Sequence, residues 1–162
     1  MKEIKINITI EEYDTVEELT NQERLLIQKA NEACKKAYAP YSEFSVGASV
    51  LLGNGEVICG NNQENAAYPS GLCAERVALF YASSLYPNME VVALAVVAKS
   101  SKVNFENPVS PCGACRQVMS EYELRQGKPF RILMQGNEGK IHAVESVDYL
   151  LPLQFKAEGL KK

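Results

Sequence analysis

Apolar and polar positions along the chain change period several times, and each change predicts an element. Lys2–Ile10 alternates as a half-buried strand does, and the acidic stretch Glu11–Glu18 follows. This segment reads as an added edge strand or a loosely attached arm. Thr20 and Glu23 form a capping box ahead of Leu26, Ile27, Ala30, Ala33, Cys34 and Ala37, which recur at helical spacing until Pro40. Val46–Leu52 and Glu56–Gly60 read as strands joined through Gly53-Asn54-Gly55. Helical spacing returns over Leu72–Leu85, and Glu90–Ala98 is almost wholly apolar, as a strand buried on both faces must be. Cys112–Leu124 reads as a second core helix, closed by Gln126-Gly127-Lys128-Pro129. Phe130–Met134 and Lys140–Val144 are strands around a Gly136–Gly139 turn, and Ser146–Leu151 is a short last helix before Pro152.

The resulting order, α-β-β-α-β-α-β-β-α, predicts an α/β fold: a single three-layer α-β-α domain around a central mixed five-stranded sheet. Residues 1–21 read as an N-terminal extension and 22–162 as the domain proper; a chain of 162 residues suffices for one core. There are no repeats, low-complexity stretches or linkers.

Composition narrows the partners. The net charge is -3, and the basic residues are scattered apart from Lys161 and Lys162, so nucleic acid is not expected as a partner. No stretch approaches the roughly 20 apolar residues that cross a bilayer, and Met1–Glu18 lacks the basic start and apolar run of a signal peptide. The expectation is a cytoplasmic protein. Its five cysteines, in a reducing compartment, then point to metal binding, catalysis or burial rather than disulfides.

Two motifs sort those cysteines. Cys112 and Cys115 stand three apart at a helix start, where their thiolates share one face. Cys73-Ala74-Glu75 opens the other core helix, and both helix N-termini favour thiolate over thiol. Three sulfur ligands leave a fourth tetrahedral position on Zn²⁺ for water, the arrangement of a catalytic site. Glu75 could move protons there, although two residues in a regular helix are separated by roughly 200°. Both side chains face one pocket only if Cys73 lies ahead of the first helical residue. Three thiolates also leave the ion's shell with a net negative charge, which Arg76 or Arg116 could offset. Cys34, Cys59 and the lone His142 read as ordinary core or strand residues, and burial or a redox pair is the plainer alternative for the motif cysteines.

At these residues the sequence resembles the cytidine deaminase family, in its short, zinc-dependent, homotetrameric form. Ala37-Tyr38-Ala39-Pro40-Tyr41-Ser42 with Phe44, Val46, Gly47 and Ala48 is similar to the family's N-terminal segment. Asn62-Gln63-Glu64-Asn65-Ala66-Ala67-Tyr68 resembles its ribose-binding segment, and Cys73-Ala74-Glu75-Arg76 and Pro111–Gln117 its two zinc motifs. The likeness spans roughly Glu23–Leu160, with the C-terminal match resting on Leu150-Leu151-Pro152, Phe155 and Leu160.

The resemblance implies one Zn²⁺ per subunit on Cys73, Cys112 and Cys115, with Glu75 as the proton shuttle and Arg76 as the charge-compensating cation. It implies that Phe44 stacks on the pyrimidine, that Asn62 and Glu64 bind the ribose hydroxyls, and that backbone groups of Ala66 and Ala74 read the base. Tyr68 and Phe155 would reach into a neighbouring subunit's site in a tetramer. The expected reaction is hydrolytic deamination of cytidine and deoxycytidine to uridine and deoxyuridine plus ammonia, in pyrimidine salvage. The substrate would be a free pyrimidine nucleoside. A deaminase of other cytosine compounds, a polynucleotide editor and a non-catalytic zinc-binding interaction protein are the competing readings. Asn62 with Glu64, the acidic charge and the intact Glu75 weigh against them in turn.

Overall fold

The computed structural model describes residues 1–105, 107–137 and 139–156. Its central layer is a sheet built on β4 (Val91–Ser100), flanked by the antiparallel strand β2 (Phe44–Leu52) and the parallel strand β5 (Arg131–Gln135). β3 (Val57–Asn61) closes one edge beside β2, and β6 (Ile141–Val144) pairs antiparallel with β5. The other edge is β1 (Glu11–Tyr13), so the strand order is β1-β6-β5-β4-β2-β3.

The sheet therefore has six strands among the described residues, not five, and the extra strand is displaced from where alternation placed it. Lys2–Ile10 is outside the sheet, with Ile4, Ile6, Ile8 and Ile10 exposed. The pairing falls instead on Glu11–Tyr13, opposite Ala143, His142 and Ile141. Side chains explain the shift. Glu11 and the Tyr13 hydroxyl both meet Arg131, while Glu12 bonds Lys140 and His142 across the strand pair. Among the described residues, the exposed Ile side chains upstream have no such partners to fix a register.

α1 (Asn21–Cys34) covers one face of the sheet. Its N-terminus carries the expected box, with the Glu23 N–H donating to Thr20 and the Glu23 carboxylate accepting from the Thr20 N–H. The helix ends at Cys34 rather than reaching Ala37. Leu26, Ile27 and Ala30 pack on Ala93, Ala95, Val97 and Leu133. The opposite face carries α2 (Ala74–Leu85) and α3 (Gly113–Gln126), whose Ala78, Leu79, Cys115 and Met119 pack on Val50, Leu94, Val96 and Ile132. β4 contributes to both cores, which accounts for its unbroken apolar sequence. The helix expected at Ser146–Leu151 is a single 3₁₀ turn over Val147–Tyr149.

Glycine sets how closely α2 approaches. A Cβ on Gly60 of β3 would stand 2.5 Å from the Ala78 nitrogen and 2.7 Å from the Ala74 oxygen. Only glycine lets the first turns of α2, which carry Glu75, lie flat against the sheet. Among the described residues no helix is long and apolar enough to cross a membrane.

Candidate active site

The first turns of α2 and α3 converge over the end of the sheet. Cys73 precedes α2 with φ -72° and ψ 151°, an extended backbone, so it is the cap residue and not part of the helix. That geometry lets Cys73 and Glu75 face one pocket despite their separation of two. Cys112 holds the same position before α3, with φ -67° and ψ 164°, and Cys115 follows inside its first turn.

The three Sγ atoms lie within 4.8 Å of one another, with 3.8 Å between Cys73 and Cys112 and 3.6 Å between Cys112 and Cys115. Ligands about 2.3 Å from one tetrahedral ion stand about 3.8 Å apart, so the sulfurs are spaced as zinc requires. The donor set is also electrostatically prepared. A hydrogen bond from Cys115, aided by the Arg76 guanidinium, brings the Cys73 thiol down to about 5, while Cys115 is pushed up because it holds the shared proton. A cation among the three sulfurs takes the place of that proton. Cys34 and Cys59 stand outside the cluster, and burial pushes both thiols up, as befits packing residues. All five cysteines are free thiols.

Arg76 and Arg116 separate cleanly. One Nη of Arg76 donates to the Cys73 sulfur at 3.7 Å, and its Nε is buried with no hydrogen-bond partner among the described residues. Arg116 instead donates to the Pro111 oxygen at 2.7 Å and the Leu150 oxygen at 2.6 Å, tying α3 to the C-terminal segment. Glu75 is 4% exposed, and burial raises its carboxyl pKa, the main effect among several.

Beside the thiols is a cleft of about 660 Å³, lined by Phe44, Asn62, Glu64, Tyr68, Cys73 and Glu75 among others. Its volume suits a small organic molecule. Phe44 opens β2 and presents a half-buried ring. The Asn62 carboxamide bridges that strand's start, accepting from the Val46 N–H at 2.7 Å and donating to the Phe44 oxygen at 2.9 Å. Glu64 accepts from the Tyr41 N–H at 2.9 Å, the Ser42 N–H at 3.3 Å and the Ser42 hydroxyl. Both side chains thus organise the cleft wall as well as facing it. Ala66 adjoins the lining residue Asn65, and the buried Ala74 lies between Cys73 and Glu75. Tyr68 is 79% exposed at the cleft, and Phe155 is 70% exposed on the C-terminal segment. Leu160 lies outside the described residues. His142 sits on β6 with its Nε2 at 2.9 Å from Glu12, away from the thiols.

Residues 20–127 match the family described as the cytidine and deoxycytidylate deaminase zinc-binding region. The chain belongs to that family. Zinc is accordingly its cofactor, and the three-sulfur cluster can hold it. Among relatives, a cytidine deaminase of Halalkalibacterium halodurans is 45% identical over 85% of this chain and 96% of its own length. A cytidine deaminase of Sporosarcina psychrophila is 48% identical over 83% of this chain and 92% of its own. The crystal structure of cytidine deaminase from Burkholderia pseudomallei superposes with a TM-score of 0.71 at 38% identity, covering 85% of this chain and all of that one.

Sequence reasoning missed part of the cleft. Val96 and Ala98 of β4 and Val109 and Ser110 before α3 also line it. So did the loop after β4 escape notice, although Val103 and Phe105 are conspicuous apolar residues in an otherwise polar stretch.

Proposed function

We propose that the chain catalyses zinc-dependent hydrolytic deamination of cytidine and deoxycytidine, giving uridine and deoxyuridine plus ammonia, in pyrimidine salvage. The observation that carries this reading is a buried carboxylate, Glu75, opening onto the same cleft as a three-sulfur cluster spaced for zinc. Cys73, Cys112 and Cys115 hold the ion. When bound, zinc supplies the Lewis acidity that makes water nucleophilic near neutral pH. Glu75 receives a proton from water and delivers it to N3 of the cytosine as C4 is attacked; it then takes the proton of the new C4 hydroxyl and passes it to the amino nitrogen, which leaves as ammonia while the C4 carbonyl forms.

The chain's other residues hold a free nucleoside in place. The Phe44 ring stacks on the pyrimidine. Glu64 and Asn62 bond the ribose hydroxyls through the lone pairs and the amide hydrogen that their wall contacts leave over. Backbone groups of Ala66 and Ala74 meet the base's amide edge. Tyr68 and Phe155 complete a neighbouring site in a homotetramer, a reading supported by their exposure and by the apolar Phe80, Tyr81 and Leu85 on the outer side of α2. Residues 22–162 form the catalytic domain, residues 1–21 are an extension, and the enzyme works in the cytoplasm.

The test is ammonia release by the zinc-loaded protein from cytidine, deoxycytidine, cytosine and CMP. Turnover of both nucleosides is expected. No turnover of either removes the assignment.

A further inference from the structure

Phe44, the ring that stacks on the base, is itself held from outside the cleft. The Phe105 ring meets it edge-on, with centroids 5.6 Å apart and planes at 88°. Phe105 is not among the described residues that line the cleft, so it bears on a substrate through Phe44. The same loop grips the residue before Phe44. Lys102 Nζ lies 2.8 Å from one Glu43 carboxylate oxygen, and the Ser101 hydroxyl donates to the other at 3.4 Å. Glu43 has φ 54°, in the left-handed region that a residue with a Cβ rarely enters without external support.

The loop in turn rests on the turn after β5. Asn137 donates from its amide to the Ser100, Val103 and Asn104 oxygens at 3.2–3.4 Å and accepts from the Ser100 N–H at 3.1 Å. Gly136 makes room for the contact: a Cβ there would stand 3.2 Å from the Asn107 oxygen and 3.3 Å from the Phe105 Cβ. A continuous path of contacts thus runs from Asn137 through the loop to Phe105 and then to the Phe44 ring.

We propose that Phe105 is a positioning residue for substrate: seated against Gly136 in a loop that Asn137 ties down, it fixes the Phe44 ring at the angle that stacks on the pyrimidine. This rests on the deamination reading only in naming the pyrimidine. The edge-on ring contact restricts Phe44 to one orientation, so binding need not select it from several. The effect belongs to ground-state and transition-state binding alike, so it enters KM rather than kcat.

The experiment uses the zinc-loaded full chain and measures kcat, KM for cytidine, Kd for uridine and zinc content in parallel. Phe105→Ala is expected to raise KM and the uridine Kd together, about fivefold or more, with kcat within about twofold and zinc unchanged. Phe105→Tyr keeps the ring edge and is expected to stay within about twofold of wild type, whereas Asn137→Ala follows Phe105→Ala. Phe105→Leu covers the case in which alanine unfolds the loop, because it keeps bulk without the ring. Unchanged KM and Kd in Phe105→Ala or Phe105→Leu overturn the proposal. So does a fall in kcat with loss of zinc, which would make the residue structural. If wild type binds uridine, responds to Phe105 substitution and yet turns over no nucleoside, the deamination reading fails while the positioning role stands.

Discussion

The guanidinium of Arg76 lies 3.7 Å from the sulfur of Cys73, one turn along α2 from the cap position that sulfur occupies. The contact answers an electrostatic need. Three thiolates around a dication leave a net negative shell, which weakens the ion's pull on any further ligand. A guanidinium hydrogen-bonded to one thiolate withdraws charge from it, and the buried Nε, without a partner among the described residues, places a second donor nearby.

Arg76→Gln is therefore expected to keep the fold but weaken zinc binding by about 10- to 100-fold, with a matching loss in kcat/KM. Competition with a chelator measures the first and nucleoside turnover the second. Arg116→Gln, which removes contacts to two backbone oxygens, is expected to lower thermal stability more than zinc affinity.

Gly60 offers a steric test of how the site is positioned. The Cβ of Gly60→Ala would overlap the backbone of Ala74 and Ala78, so α2 must move away from β3. The expected cost is about 1–3 kcal/mol in urea denaturation, accompanied by a drop in turnover because Cys73 and Glu75 travel with α2. Gly55→Ala is the contrast, since open space surrounds that position and only its φ of 87° opposes a side chain.

Arg131 predicts how stability depends on pH. It pairs with Glu11 and Glu23 at 2.6 Å each and with Glu145, joining β1, α1 and the strand pair β5–β6. The Glu11 and Glu23 carboxyls are held below their usual value, Glu11 chiefly by its bond to Arg131 and Glu23 by hydrogen bonds from Thr20 and Arg131 that outweigh its burial. A carboxyl depressed in the folded state stabilises above its unfolded pKa and loses that contribution as pH falls through the folded one. Arg131→Met is expected to cost about 1–2 kcal/mol at pH 7, discounted because Glu11 and Glu145 face solvent. The gap between variant and wild type should narrow below about pH 4, as read by urea denaturation at both pH values.

The sequence made the local features legible and left the long-range ones hidden. Cys73, Cys112 and Cys115 announce themselves by spacing at helix starts, and even the extended backbone of Cys73 follows from asking how it shares a pocket with Glu75. The Thr20–Glu23 box and the buried β4 are equally local. The edge strand is the opposite case. Alternation in Lys2–Ile10 describes a chain able to pair, but the pairing went to Glu11–Tyr13 because Arg131 and Glu11 stand 120 residues apart and meet only in the folded sheet. Phe105 was missed for the same reason: its partners Phe44 and Gly136 lie on either side of it in sequence, and no period links the three.

The most direct measurement concerns Glu75. In Glu75→Gln the side chain keeps its shape and still hydrogen-bonds through its amide, but it cannot carry a proton between groups. Zinc content and ammonia release from cytidine are measured on the same preparation. The account predicts one zinc per chain, as in wild type, with turnover reduced by about 100-fold or more. Full turnover with zinc in place would contradict it, because the proton would then be moving through another group.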